Sequence, residues 1–507
     1  MFSKKLVPAA LAAAVSSIAA AQQDAPLIEE ISVIGQFVPD EKRGTDQIAN
    51  VVGEEQFTRS GDSNIAESLK RVSGLSTVSG KYVYVRGLGE RYATTLLNGA
   101  ILPSPEPINR VVPMDLFPTA ILDSVLVQKT YSAAYPSEFG GGVLQLRTKK
   151  STDEFFWTFA STAGVIDNAT FKDSLTMSGG STDWLGYDDG HRQPSAALLN
   201  ATANNNQLKV KSRFTGVGVS KEELEAVGDG FNNQYTPAVE DAPANFNLST
   251  SLGNYHDIGS TGMKFNYLAS LDYSNSWDTN RIERNTYVPG SLGLVQQEDM
   301  DFTGTENSID VSGIFSAGLD FNENHNVRLT SVVLRKTDDR VFRTTGDTEA
   351  GSEVEINEIQ WVERELASHQ LQGDHFFPSF NELVFNWRYS EITATREAPD
   401  NRLYRYDAGE FSSRVDGNLR NFDALEDNAS ELGLDFTMAF YGPLNTIITP
   451  KVGYVSSEKT RDSEIRRFGF AFNGPLANDI SLLVKPLEEI LTPENITEQG
   501  FLIRELT

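Results

Sequence analysis

The chain has no cysteine and only five histidines in 507 residues. A disulfide scaffold, a thiolate zinc site and an iron–sulfur cluster are therefore excluded. Cations are scarce: 43 Lys and Arg stand against 70 Asp and Glu, a formal net charge of −27. Nucleic acid is an unsuitable partner, because phosphate contacts need clustered Lys and Arg. No internal run of about 20 apolar residues occurs, which excludes a helical membrane protein. A membrane β-barrel stays open, because alternating strands keep mean hydropathy low, here −0.32. No Ser/His/Asp order, Walker loop or carboxylate pair stands out, so neither an enzyme nor a cofactor is expected.

The start of the chain reads as an export signal. Lys4 and Lys5 precede an apolar stretch, and Ala19-Ala20-Ala21 offers a small-x-small cleavage site before Gln22. Residues 1–21 are thus expected to be removed, and residues 22–45 form a linker around one short apolar run.

Two regimes follow. Residues 46–150 read as a small α+β domain. Ser63 is the expected N-cap of a helix whose Ile65, Leu69 and Val72 share a face, with Gly74 closing it. Short strands are expected at 82–85, 94–97 and 124–127, with Arg86-Gly87 and Asn98-Gly99 as turns. From Phe155 onward, alternating strands of about ten residues recur. In one, Phe265, Tyr267, Leu271 and Tyr273 share a face, with Lys264, Asn266 and Asp272 opposite. Aromatics crowd the strand ends (Trp157, Tyr255, Phe321, Tyr389, Phe440 and Tyr454 among them), as membrane-interface girdles require. Short turns near 256–262, 322–326, 378–381 and 441–445 separate long polar loops near 166–245, 275–307, 337–356 and 397–430. A soluble sandwich has no reason to put every long loop at one end. The fold class expected is a small α+β domain followed by antiparallel transmembrane β-barrel strands. Their polar faces would line a wet lumen.

Several motifs now resemble one family. Ile28-Glu29-Glu30-Ile31-Ser32-Val33-Ile34-Gly35 looks like a TonB box. The helix at 64–75, the pair Tyr82-Val83-Tyr84-Val85-Arg86-Gly87-Leu88-Gly89 and Thr94-Thr95-Leu96-Leu97-Asn98-Gly99, and the stretch 123–149 resemble, in order, the plug of TonB-dependent outer-membrane receptors. The resemblance implies an active transporter in the outer membrane of a Gram-negative bacterium. It would take up a scarce substrate, energised by a TonB-type periplasmic protein. That protein would grip Glu30, Ile31, Ser32, Val33, Ile34 and Gly35 by β-augmentation, adding the extended segment to its own sheet. Lipid is the other expected partner. Siderophore, haem, cobalamin, glycan and peptide receptors share such a plug, so the substrate is not legible. A passive porin or barrel adhesin is the alternative, and both lack a plug and box.

Within the plug, Arg86, Gly87, Leu88, Gly89, Glu90 and Arg91 are candidates for a loop facing substrate, against a plain reading as a turn. Gly140, Gly141 and Gly142 are expected to turn the chain from plug into barrel. The loop Asp183-Trp184-Leu185-Gly186-Tyr187-Asp188-Asp189-Gly190 could bind a cation or sugar, or simply be solvated. No metal site is expected. His369 and His375 lie six residues apart, nearly 20 Å along a strand, too far to share an ion.

Nine strands are expected between 155 and 459, with residues 473–507 forming a further external loop that holds a helical stretch at 481–490. The family barrel has 22 strands, as the resemblance implies. At about 34 residues per strand and connection, it would need roughly 750 residues after the plug. Residues 151–507 therefore read as the N-terminal part of a barrel, and the chain as a fragment.

Overall fold

The computed structural model describes residues 49–507 except 109, 136–139, 151, 153, 204–205, 261, 292, 349–352, 444–445 and 507. The signal segment and the box at 28–35 lie outside the described residues.

The first part is built on a five-stranded sheet. Strand β1 (Ala49–Gly53) leads into α1 (Glu54–Ser60), which ends at Gly61 with φ +67°. Helix α2 (Ile65–Leu69) follows, then β2 (Leu75–Val78), β3 (Tyr82–Val85), β4 (Ala93–Leu97), β5 (Ala100–Ile101), β6 (Leu122–Gln128) and β7 (Gly142–Thr148). The sheet order is β1-β6-β7-β4-β5, and β2–β3 form a separate hairpin. The N-cap of α2 is Asn64, not Ser63: its Oδ1 accepts the Glu67 N–H at 3.2 Å. The Ser63 N–H instead donates to Glu67 Oε2 at 3.0 Å, which shifts the capping box by one residue. Ile65 and Leu69 are fully buried, as their shared face requires.

The second part is one antiparallel wall. Its strands are β8 (Phe156–Gly164), β11 (Asn245–Ile258), β12 (Met263–Gly290), β13 (Gly293–Asn322), β14 (His325–Asp347), β15 (Glu353–Phe377), β16 (Leu383–Asp407), β18 (Asn418–Thr437), β21 (Lys451–Phe472) and β22 (Phe501–Glu505). Each pairs with the next in that order, and the short β17 (Glu410–Phe411) folds back on β16. The first nine are the nine expected, and three of the four short turns fall where the sequence places them; the fourth, expected at 441–445, is a 13-residue connection (438–450) that holds the short paired strands β19 (Phe440–Tyr441) and β20 (Ile447–Ile448).

Lengths differ from expectation. β12 has 28 residues and β13 has 30, paired to their adjoining ends at Gly290 and Gly293. Three of the four expected long loops (275–307, 337–356 and 397–430) are mostly strand. Such strands run about 90 Å, whereas a bilayer takes about 10 residues. Backbone pairing continues past the height where alternation stops, so polar residues there remain in ladders. The expected loop at 473–507 also returns to the wall as β22. Its helical stretch is two single turns, α5 (Ile480–Leu483) and α6 (Leu487–Ile490), separated by Pro486.

The long connection after β8 is real, and it is folded. It holds β9 (Asp173–Thr176), α3 (Ala196–Ala201), α4 (Lys221–Asp229) and β10 (Ala238–Asp241). A full capping box between Ser220 and Glu223 starts α4. With residues 473–506 this segment forms a collar with its own core, where Leu198, Leu224, Val227 and Phe231 meet Phe468, Phe470, Ile490 and Phe501.

Candidate functional site

Wall residues divide by parity. Gln370, Arg364, Lys336 and Asp310 point to the first domain, which sits against one face of the wall. Their neighbours Arg335, Thr337 and Glu363 carry the collar on the other face, where the Arg335 Nε–H and the Thr337 hydroxyl donate to Gly186 O at 2.8 and 2.7 Å. The collar is therefore on the outer face, and the site of interest is on the inner one.

The lower seat is the Asn98-Gly99 turn. Both residues have positive φ, +48° and +90°, as a two-residue hairpin between β4 and β5 demands. The Asn98 amide does more than turn. Its Nδ2 donates to Gln370 Oε1 at 3.0 Å and to Thr148 Oγ1 at 2.9 Å, while its Oδ1 accepts the Thr148 N–H at 2.9 Å. Gln370 and Gln372 donate in return to Leu97 O and Asn98 O at 2.9 and 3.0 Å.

Higher up, the segment 101–117 meets a row of wall arginines, of which Arg364 is buried and Arg461 half-buried. Arg364, 2% exposed, donates to Asp115 at 2.9 and 3.3 Å and to Asp338 at 3.0 Å, with Glu106 at 3.8 Å. Asp338 also accepts from Ser308 Oγ at 2.8 Å and from Arg340 at 3.1 Å. Arg461 donates to Ser104 O at 3.1 Å, to Asp427 at 2.9 Å and to Glu106 O. The Ser104 N–H donates to Asp427 at 3.1 Å. Burial, and then the Glu106 carboxylate, hold the Tyr82 phenol well above its ordinary range, so it stays a donor. The tip of the segment, Ile108, is 90% exposed.

The contact is not purely wet, contrary to expectation. Leu268, Ile314, Val332, Leu334, Leu366 and Ile392 of the wall join the core built around Leu69, Phe117 and Val127. A cavity of about 820 Å³ lies beside that patch, with Asp62, Glu67 and Lys149 and, from the wall, Asp272, Ser312 and Lys336 among its lining residues. Ser312 Oγ is buried there without a protein partner, so it is free to bond water or a passing solute.

The residues singled out from sequence fall elsewhere. Arg86 and Gly87 form a turn with φ +55° and +76°, and the Arg86 N–H donates to Gly74 O at 2.8 Å. Leu88, Gly89, Glu90 and Arg91 continue into a 3-10 turn at Glu90–Tyr92. The contacts of this loop are with its own domain, such as Leu88 against Gly141, and the structure does not bring it to the arginine row. Gly140, Gly141 and Gly142 are not the exit to the wall. Gly140 and Gly141 lead into β7, which Gly142 opens, and the chain leaves that domain only after Thr148. Their φ values are not positive, and their smallness serves close packing. A Cβ on Gly142 would lie 2.9 Å from Val85 and 3.0 Å from Gln128 O. The acidic loop at 183–190 is occupied by its own chain: Arg192 binds Asp183 at 2.6 Å and Asp188 at 3.2 Å, and stacks 3.9 Å over Trp361. Asp115, Glu106, Arg364 and Arg461 carry no local signal, since their partners across the contact are 249 to 357 residues distant. Only Asn98-Gly99 was visible, as a turn.

Comparison with known proteins bears on this arrangement. Residues 41–143 match the TonB-dependent Receptor Plug Domain family. A stretch of 248 residues is 27% identical to the vitamin B12 transporter BtuB of Photobacterium profundum, covering 45% of this chain and 37% of that one. Among solved structures, the pyoverdine outer membrane receptor FpvA of Pseudomonas aeruginosa aligns with 11% identity and a TM-score of 0.35, covering 87% of this chain and 65% of that one. The unliganded ferric citrate transporter FecA aligns with 10% identity and a TM-score of 0.31, covering 86% and 64%. The chain thus spans about a third of the curated relative's length and just under two thirds of these structures.

Proposed function

Because the chain belongs to the TonB-dependent receptor family, a family of outer-membrane transporters and receptors, we propose that it serves active uptake across the outer membrane. The substrate meets the plug at the exposed tip around Ile108. A TonB-type periplasmic protein takes hold of Glu30 to Gly35 and pulls. The pull breaks the plug's seat on the wall and widens the cavity beside it into a path.

The observation that supports this reading is the seat itself. The upper plug segment is held by side chains of Arg364 and Arg461 and by Asp427, groups whose hydrogen bonds water can replace. A permanently fused core would gain nothing from burying arginines, since a buried ion pair is seldom more stabilising than an apolar contact. A cavity lined in part by charged side chains already lies along the same wall.

The test is a proline in the box, Ile31→Pro or Val33→Pro, which removes a donor that β-augmentation needs. Cells expressing the protein are offered cobalamin, ferric chelates and oligosaccharides. The ligand that binds wild-type cells should still bind the variant, and its uptake should fall to the level of unenergised cells. Uptake unchanged by either proline would overturn the assignment of the box.

A further inference from the structure

The collar contains a long stretch that runs against the charge of the chain. Residues 190–221 hold no Asp or Glu, yet carry Arg192, Lys209, Lys211, Arg213 and Lys221, in a protein of net charge −27. Arg192 and Lys221 are paired, with Asp183 and Glu498. Lys209, Lys211 and Arg213 are exposed. All three sit in a tight protruding loop, where the Val219 N–H donates to Lys209 O at 2.8 Å and the Ser212 N–H to Val217 O at 2.9 Å. At its tip Phe214 is 100% exposed, flanked by Val210 and Val217, which are 49% and 57% exposed. A bare aromatic among three cations in an acidic protein is costly in water, and it matches an anionic lipid surface.

The position fits. The loop is rooted where the Leu208 N–H donates to Glu505 Oε2 at 2.8 Å, on the outer face of the wall. Glu505 pairs with Phe468, which is 17 residues (468 − 451) from the start of β21. A bilayer crossing takes about 10 residues, so the root lies about seven residues higher, or roughly 16 Å above the lipid for a strand tilted near 45°. Five residues separate Lys209 from the tip, an extended reach of about 16 Å. The collar lies on the wall's outer face, so no wall strand stands between this loop and the surrounding lipid.

We propose that the loop at 209–219 docks on the outer leaflet, with Phe214 in the headgroup–acyl boundary and Lys209, Lys211 and Arg213 on the phosphates of its glycolipids. This inference rests on the outer-membrane reading above. Three cations at about fivefold each give a preference of about a hundredfold for a phosphorylated over a neutral surface.

The absence of cysteine gives a clean test. Phe214→Cys carries an environment-sensitive fluorophore in the full chain, reconstituted in vesicles of phosphatidylcholine alone or with phosphorylated lipid A-type glycolipid. Leu271→Cys, at a 64% exposed position on the outer face of β12, carries the same label as a reference. The label at 214 should shift to the blue and be quenched by brominated lipid only when the glycolipid is present. Adding K209E, K211E and R213E should abolish both effects and leave the label at 271 quenched. A label at 214 that stays in water while that at 271 is quenched overturns the docking. So does lipid contact that survives the triple charge reversal. A label at 271 that is never quenched overturns the membrane reading instead.

Discussion

Replacing Asp115 by Asn tests whether the arginine row holds the plug down. Arg364 donates two hydrogen bonds to that carboxylate, at 2.9 and 3.3 Å, and is 2% exposed. Losing one partner of a buried pair costs about 3–5 kcal/mol when the other is left uncompensated. Here Asp338 remains 3.0 Å from the guanidinium, and the amide can still accept one bond. The lower end, about 3 kcal/mol, is therefore the better figure, and at about 1.4 kcal/mol per decade it is roughly a 150-fold change. The readout is amide hydrogen exchange of the reconstituted protein. The amides of Met114 and Phe117, bonded to Lys81 O and Met114 O, should exchange roughly 100-fold faster by local opening. Those of Val125 and Val127 in β6 should not change, because the sheet is held independently of the row. Unchanged exchange at 114–117 would refute the claim that the ion pair seats the segment. Uniform acceleration across the plug would show that Asp115 supports the whole domain rather than a movable part.

Three further substitutions probe other joints. Asn98→Ala removes the amide that ties β7, the turn and Gln370 together, and should lower plug stability by about 1–3 kcal/mol, read as a drop in the urea midpoint of plug unfolding. Gly142→Val should cost about as much or more, because its Cβ would press on Val85 and on backbone at Gln128, and the plug should become sensitive to protease. Gly186→Val adds a side chain where φ is +73° and a Cβ would meet Thr337 at 2.9 Å; proteolysis of whole cells should then cut the collar near 186 while the wall stays intact.

What the sequence made legible follows from where each signal originates. The Asn-Gly turn and the strands at 82–85 and 124–127 are local, and their placement is recovered to within two residues, whereas the helix starts where expected but ends at Leu69, well short of the Gly74 expected to close it. The nine long strands could be counted because short turns and apolar alternation mark their lower ends. Their upper limits could not be read. In β15, His369, Leu371, Gly373 and His375 alternate with Gln370, Gln372 and Asp374, but from Glu353 to Glu365 apolar and charged residues fall on both faces. The ladder with β14 nevertheless continues to Glu353.

On the outer-membrane reading proposed above, the period-2 pattern reports the lipid rather than the strand. Lipid imposes an apolar outer face only over about ten residues, and the wall extends well beyond that height. Above it the outer face meets the collar, and it does so through charge as much as through apolar contact. Arg335 reaches Gly186 O and Glu363, Arg192 stacks on Trp361, and Arg420 binds Asp400 beneath Tyr235. A sequence reader sees such arginines, glutamates and aspartates as a solvated loop. The same blindness applies inside the barrel. Arg364 and Asp115 are 249 residues apart, and nothing near either one marks it as half of a pair. A long-range charged contact leaves no periodicity and no composition bias, so the seat of the plug is the part of this protein that only its fold discloses.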